Sequence, residues 1–326
     1  MNGFKVIAAL SLAVMVISSS NATAEKTKLR SVLSVSAGAV EAQALENEIP
    51  EIDIVYGLFQ RSYFLSAIAA ATPLAEKGNA DAQTLLGEMN RLGLGIEKNL
   101  EEAFNWYKLG ADNGNREAAF QVAFHYLDGL GTEKNKEDAG KYFKLAAEKG
   151  HVLGQYNLGL MYLAGEVFPK SFKNAADVLL KAAKEGNADA QYAMGELYRE
   201  GRGVKKDEIL ATIYFGQAAR QGHDTAQLEY GLRLLNGIGI GKNENDAARW
   251  FKINARRGNV IAQNRLAHLY RTGKGVPVDP LNMARWHLIS KKAGFKDKEL
   301  DAHIIELDDE LMATVEALAA EWKPEL

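Results

Sequence analysis

Asn187–His223 reads NADAQYAMGELYREGRGVKKDEILATIYFGQAARQGH, in which a helix-like pattern, a Gly turn, a second helix-like pattern and a second Gly turn follow one another. Steps of 36 residues from Gly222 land on Gly258 and Gly294 in one direction and on Gly186, Gly150, Gly114 and Gly78 in the other. The same step carries Ala190 onto Ala82, Ala118, Gly154, Ala226 and Ala262, and Gly201 onto Gly93, Gly129, Gly165, Gly237 and Gly273. A strict period of this length marks a stacked helical solenoid, in which no repeat buries its apolar face alone. The sequence therefore predicts an all-α fold with six repeats over 80–295, divided as 80–115, 116–151, 152–187, 188–223, 224–259 and 260–295.

Each repeat has an internal logic. In the first helix a small residue is followed usually by Gln, then a large apolar residue, Gly or Ala, and usually Tyr, as in Ala190, Gln191, Met194, Gly195 and Tyr198. The spacing of Ala190, Met194 and Tyr198 puts them on one face, the expected seam between helices. Glycine costs about 1 kcal/mol in a helix interior, so Gly195 is expected where a side chain would hold packed helices apart. Asn99, Asn135, Ser171, Asp207, Asn243 and Asp279 follow the turns and are good N-caps for the second helices. Those helices carry Ala103, Ala139, Ala175, Ala211, Ala247 and Met283, with Trp106, Tyr142, Val178, Tyr214, Trp250 and Trp286 three positions on, where interhelical packing is expected. The closing Gly of each repeat is expected as a left-handed C-cap.

The patterns Ala-Gln-x-x-Leu-Gly-x-x-Tyr-x-x-Gly, then Gly-x-Gly, then Ala-x-x-Trp and Ala-Ala-x-x-Gly resemble the Sel1-like repeat, a relative of the tetratricopeptide repeat, over 80–295. The resemblance implies a right-handed superhelical solenoid of antiparallel helix pairs that serves mostly as a scaffold for protein partners. A few relatives are linked to cell-wall or β-lactam binding, and the resemblance brings no catalytic residue. Repeat three departs from the pattern: Glu166 and Val167 follow Gly165, and Phe168-Pro169 occupy the turn.

The flanks differ from the array. Lys5 supplies a charged n-region, Val6 to Ile17 is an apolar run broken by Ser11, and Ala22-Thr23-Ala24 is a small-x-small cleavage pattern. Residues 1–24 therefore read as a signal peptide cut near Ala24, with a periplasmic or secreted mature chain and no later span. Residues 25–55 read as a partly flexible lead-in and 56–79 as an N-terminal capping helix that Pro73 bends or shortens. Residues 296–326 read as an acidic C-terminal cap, one helix or a helix pair, with Ile304, Ile305, Leu307, Leu311, Val315, Leu318, Ala319 and Trp322 as its apolar stripe. Residues 242–298 hold 13 basic and 4 acidic side chains, whereas 299–326 hold 9 acids and one lysine. An acidic cap folded on the basic last repeats offsets both; an acidic partner or anionic glycan on those repeats is the other reading.

Composition narrows function. A net charge of -3 argues against a globally basic nucleic-acid binder. With no cysteine there is no disulfide, thiolate metal site, cysteine nucleophile or lipid-modified cysteine. The Gly-x-Gly runs join helix to helix with no strand before them, so they read as turns, not a dinucleotide fingerprint. His125, His151, His223, His268, His287 and His303 include no pair three or four apart, so no zinc site is expected. Acid pairs such as Glu101-Glu102 and Asp308-Asp309 read as solvated faces. No catalytic residue, metal or cofactor is expected.

Partner selection should rest on positions that vary between repeats. If the first helices line the inner curve, its residues lie two, six and nine positions after the leading small residue. These are Thr84, Glu88 and Arg91; Phe120, Phe124 and Leu127; Tyr156, Leu160 and Leu163; Tyr192, Glu196 and Arg199; Leu228, Leu232 and Leu235; and Asn264, His268 and Arg271. An apolar middle interrupted by repeat four suits a peptide or helix of a protein partner. Packing against the neighbouring repeat is the competing reading of the same residues. The sequence thus predicts a non-catalytic envelope adaptor, the alternative being a cell-wall polysaccharide or peptidoglycan binder or hydrolase with Tyr156 and Tyr192 stacking on sugars.

Overall fold

The computed structural model describes residues 50–325, so the expected signal peptide and most of the lead-in lie outside the described residues. Among the described residues there are sixteen helices and no strand. The first helices of the six repeats are α3 (Ala80–Leu92), α5 (Arg116–Asp128), α7 (Val152–Ala164), α9 (Ala188–Glu200), α11 (Asp224–Asn236) and α13 (Val260–Thr272). Their partners are α4 (Leu100–Asp112), α6 (Lys136–Glu148), α8 (Phe172–Lys184), α10 (Glu208–Arg220), α12 (Glu244–Arg256) and α14 (Pro280–Lys292). Before them stand α1 (Glu51–Gln60) and α2 (Phe64–Glu76), after them α15 (Lys298–Ile305) and α16 (Asp309–Glu321). The chain forms two compact parts, one ending at Lys149 and the other beginning at Gly150. Within each part the two helices of a repeat pack together, and the second packs on the first helix of the next repeat.

Capping sets the helix boundaries. Asn99, Asn135, Ser171, Asp207, Asn243 and Asp279 each accept a backbone amide at the start of the second helix, as expected. The first helices are capped in the same way by Asn79, Asn115, His151, Asn187, His223 and Asn259, right after each closing Gly. In His151 and His223 the acceptor is ring Nδ1. The recurring Gln also has a role: Gln83, Gln191, Gln227 and Gln263 donate to the carbonyls of Ala75, Ala183, Ala219 and Ala255, near the end of the preceding helix. Those carbonyls lie in the last turn, beyond the i→i+4 ladder, and also accept the amide of the closing Gly three residues on.

The core lies one residue beyond the expected bulky positions. Tyr107, Phe143, Leu179, Phe215 and Phe251 are fully buried, whereas Trp106, Tyr142, Val178, Tyr214 and Trp250 are half-buried. One residue turns a helix by about 100°, so the expected set flanks the seam: Tyr142 stacks on Tyr126, Tyr214 on Tyr198, and Trp250 meets Tyr230 edge-on. Only Trp286 of that set is buried. The steric reading of Gly195 holds, since a Cβ there would stand 2.7 Å from the Phe215 ring. Gly87 meets Tyr107, Gly159 meets Leu179 and Gly231 meets Phe251 in the same way.

The two ends differ from expectation. Residues 56–79 form two helices, not one: α1 begins at Glu51, inside the expected lead-in, and breaks at Arg61–Tyr63. Ser62 adopts φ 61°, and the Tyr63 amide donates back to the Leu58 carbonyl. This is a left-handed helix ending built on Ser where Gly is usual. The helix α2 runs through the exposed Pro73 to Glu76. At the other end the acidic cap is the helix pair α15 and α16, started by Asp297 and Asp308. It docks on the basic last repeats through Asp301 to Lys291 (2.6 Å) and His287 (2.9 Å), and Glu299 to Arg271 (2.5 Å). Val315 and Ala319 are buried, and Trp322 meets Trp286 edge-on at 6.3 Å.

Loop glycines separate two demands. Gly239 has φ 65°, and a Cβ would stand 2.0 Å from the Glu208 carbonyl oxygen; Gly241, in the same loop, has open space around it. Gly239→Ala is expected to cost about 1–3 kcal/mol from forced overpacking, whereas Gly241→Ala stays within about 0.5 kcal/mol. Urea denaturation of the two variants checks this, and equal costs would contradict the docking role given to Gly239.

Candidate functional site

In the part ending at Lys149, the expected groove residues are largely packed inward. Phe120 is 3% exposed and meets Phe124 and Phe143 edge-on at 4.8 and 5.9 Å. Phe120 therefore belongs to the core, which corrects its place among the partner-binding residues, while Phe124 and Leu127 are half-buried. Thr84 and Glu88 are buried as well. The Tyr107 hydroxyl donates to the Glu88 carboxylate at 2.5 Å, and Arg91 Nε donates to it at 2.8 Å. Burial, then the Glu88 charge, pushes the Tyr107 hydroxyl pKa well up, so it stays a neutral donor.

In the part beginning at Gly150, a half-open stripe survives. Tyr156, Leu160 and Leu163 on α7, Tyr192, Glu196 and Arg199 on α9, and Leu228, Leu232 and Leu235 on α11 are all half-buried. Tyr156 and Leu163 lean on the core between α8 and α9, and the three leucines of α11 lean on the core of the last repeats. Those five side chains lean on a core without being sealed by it, which both the groove reading and the packing reading accommodate. Tyr192 stacks on His223 at 4.6 Å, which occupies one face of the ring expected to hold a sugar.

The polar break is an ion network. Arg199 bonds Glu196 at 2.5 Å and lies 3.6 Å from Glu200 and 3.8 Å from Glu229 on α11. Glu196 Oε1 is buried and has no hydrogen-bond partner among the described residues. Burial pushes the Glu196 carboxyl pKa up, with Arg199 opposing. Arg233, which is 2% exposed, binds Glu229 at 3.2 Å, Glu208 at 3.0 Å and the Thr212 hydroxyl at 3.0 Å, and lies over the Phe215 ring.

Positions two, six and nine do not include Arg233. It stands where other repeats carry Met89, Met161, Leu197 and Leu269, and the sixth residue of that set is His125. A charged or polar residue breaking an apolar column was the available signal. His125 is 1% exposed; its Nδ1 lies 2.6 Å from the Leu130 carbonyl, its ring against Phe104 and Tyr107. Burial lowers its pKa.

The last repeat closes the stripe. Asn264 and His268 bond Asp297 at 2.8 and 2.7 Å, and Arg271 bonds Glu299. Burial raises the Asp297 pKa, but hydrogen bonds from Asn264, the Leu300 amide and His268 outweigh it and hold that carboxyl well below its usual range. His268, Asp297 and Glu299 place three donor atoms within 4.8 Å of one another. Spacing between histidines alone does not reveal such a group. Asn264, His268 and Arg271 already satisfy the two carboxylates, so the group reads as an ion-pair cluster holding the cap.

Geometry and repeat together define a class: an array of antiparallel helix pairs. A model of the Sel1 repeat matches residues 80–115, 116–151, 152–187, 188–223, 225–259 and 260–290. The chain belongs to the Sel1 repeat family, whose members are generally non-catalytic protein-interaction scaffolds. It is similar to a Sel1 repeat protein from Oxalobacter formigenes, at 30% identity over 74% of this chain and 98% of that one, TM-score 0.65. It shares the fold of a protective antigen of uropathogenic Escherichia coli, at 24% identity over 86% of this chain and 62% of that one, TM-score 0.68. A sel1-like repeat-containing protein of Acanthamoeba polyphaga mimivirus is 44% identical over 50 residues, which is 15% of this chain and 9% of that protein. The chain therefore spans less than two thirds of the antigen and under a tenth of the viral protein.

Two stability effects follow. Arg233→Ala is expected to cost about 1–3 kcal/mol, since it removes the hydrogen bonds of a buried guanidinium to Glu208, Glu229 and Thr212; Arg199→Ala, in a more exposed pair, costs about 1 kcal/mol or less. Chemical denaturation ranks them, and equal losses would contradict the account. For His125, a folded pKa below the unfolded value of about 6.5 means the unfolded state binds more protons as pH falls. Stability should then drop from pH 7 to pH 5. His125→Met should flatten that slope, read as melting temperature against pH.

Proposed function

We propose that the chain is a non-catalytic adaptor of the bacterial cell envelope that holds a peptide or helix of another protein against α7, α9 and α11. The observation that carries this reading is the stripe Tyr156, Leu160, Leu163, Leu228 and Leu232, half-buried on either side of the Glu196–Arg199 pair. Leucines committed to the core would be covered on both sides, as Leu179 and Leu266 are. The segment it suits has apolar anchors at both ends and a polar residue between them to face the Glu196–Arg199 pair. The signal-like residues 1–24 support an envelope location.

The test is photo-crosslinking in intact cells with the crosslinker at Leu160, followed by capture of the identified partner by the Leu160→Ser/Leu232→Ser variant. Loss of about tenfold or more in affinity, about 1.4 kcal/mol, is expected with the melting temperature within a few degrees of the parent. Retained affinity in a folded variant would overturn the reading of the stripe. Absence of crosslinks to envelope proteins would overturn the location.

A further inference from the structure

We propose that the cleft between the last repeat and the C-terminal cap is a binding site for a small ring-bearing oxyanion, a sugar-sized body carrying a carboxylate or a phosphate. The cleft measures about 490 Å³ and is walled by α12, α14, α16 and the tail that follows α16, a size within the usual range for small-molecule sites. Lys252 and Arg256 stand one turn apart on α12, Arg285 faces them from α14, and Lys323 comes from the tail. Against these four cations the lining carries two acids, Glu321 and Glu325. Glu325 lies 3.7 Å from Arg256, and Lys252, Arg285 and Lys323 make no ion pair among the described residues.

Arg285 makes the site more than a basic surface. Its Nε is buried without a hydrogen-bond partner among the described residues and the residue as a whole is half-buried, so an anion in the cleft would meet its Nη groups. Its guanidinium lies over the Trp286 ring at 5.6 Å from the centroid, a cation–π contact that holds it beside the cleft. A planar guanidinium matches the two oxygens of a carboxylate or phosphate. Trp322 adds an aromatic wall: it is half-buried and packs edge-on against Trp286. The wall is held by the backbone, because the Glu325 amide donates to the Arg256 carbonyl at 2.8 Å. Charge for the anion and a ring face for its body thus meet in one cleft.

Cap and tail occur once in the chain, so no other repeat can reproduce the site. It shares no residue with the α7–α9–α11 stripe, and the two readings stand or fall separately.

The experiment is calorimetric titration of the purified chain, with tryptophan fluorescence as a second readout, using glucuronate, glucose 6-phosphate, glucose and inorganic phosphate as probes. Saturable binding in the range of about 1 mM or tighter is expected for glucuronate, glucose 6-phosphate or both, and none for glucose. The charged sugar that binds tells whether carboxylate or phosphate is the natural group. Arg285→Gln should weaken it about tenfold or more with the melting temperature unchanged; if that variant is destabilised, Lys323→Gln on the exposed tail takes its place. No saturable binding by either charged sugar, undiminished affinity in the folded variant, or inorganic phosphate binding as tightly as both sugars would each overturn the proposal.

Discussion

The structure depends on how closely two helices of one repeat approach. At Gly87, Gly159, Gly195 and Gly231 the first helix gives up its side chain, and the ring or branched chain of Tyr107, Leu179, Phe215 or Phe251 fills the space. A methyl group at these sites would stand 2.5–3.0 Å from the neighbour, below van der Waals contact. The loop glycines repeat this between successive repeats. Gly131, Gly203, Gly239 and Gly275 lie against the first carbonyls of α4, α8, α10 and α12, with 1.9–2.1 Å left for a Cβ. Both spacings recur at 36 residues because a slip in one would break the other. The glycine cost within a helix, about 1 kcal/mol, is offset by burying a large side chain at each step.

Hydrogen bonding completes what sterics begin. The Gln after the leading alanine reaches the end of the previous helix, and the side chain after each closing Gly caps the next. Twelve repeat helices of thirteen residues each therefore begin and end with partners for exposed backbone groups. Two of the caps are histidines, His151 and His223, whose ring nitrogen takes the role that Asn side chains fill elsewhere. Regularity of this kind leaves the recurring positions no freedom to respond to a ligand.

The period, the repeat borders and the second-helix caps could be read from the sequence because each rests on glycine or a short polar side chain at a fixed step. The buried ring was placed one residue early because Trp106 and Tyr107, or Tyr142 and Phe143, are both large, and size alone cannot say which faces inward. The break at Ser62 was hidden because the left-handed ending there lacks the usual glycine. Among the groove residues, Phe120 and Tyr156 hold the same repeat position, yet one is sealed by Phe143 and the other is half-open. That difference depends on the identity of the neighbour across the seam, which helical spacing does not contain. Arg233 is not visible from helix faces, because what sets it apart is its place in a column that is otherwise Met, Leu or His.

Arg233 also shows how variation can enter an array without disturbing its pitch. It occupies a column that is otherwise Met, Leu or His, lays its guanidinium over Phe215, and finds Glu208, Glu229 and Thr212 as partners for its donors. Glu229 in turn faces Arg199, so a buried substitution in repeat five helps to set the charge pattern on the half-open face of repeat four. Scaffold and surface are thus linked through one carboxylate. An array whose seams are fixed by glycine can vary its surface by changing a core column, provided that the new polar group finds its partners within two neighbouring repeats.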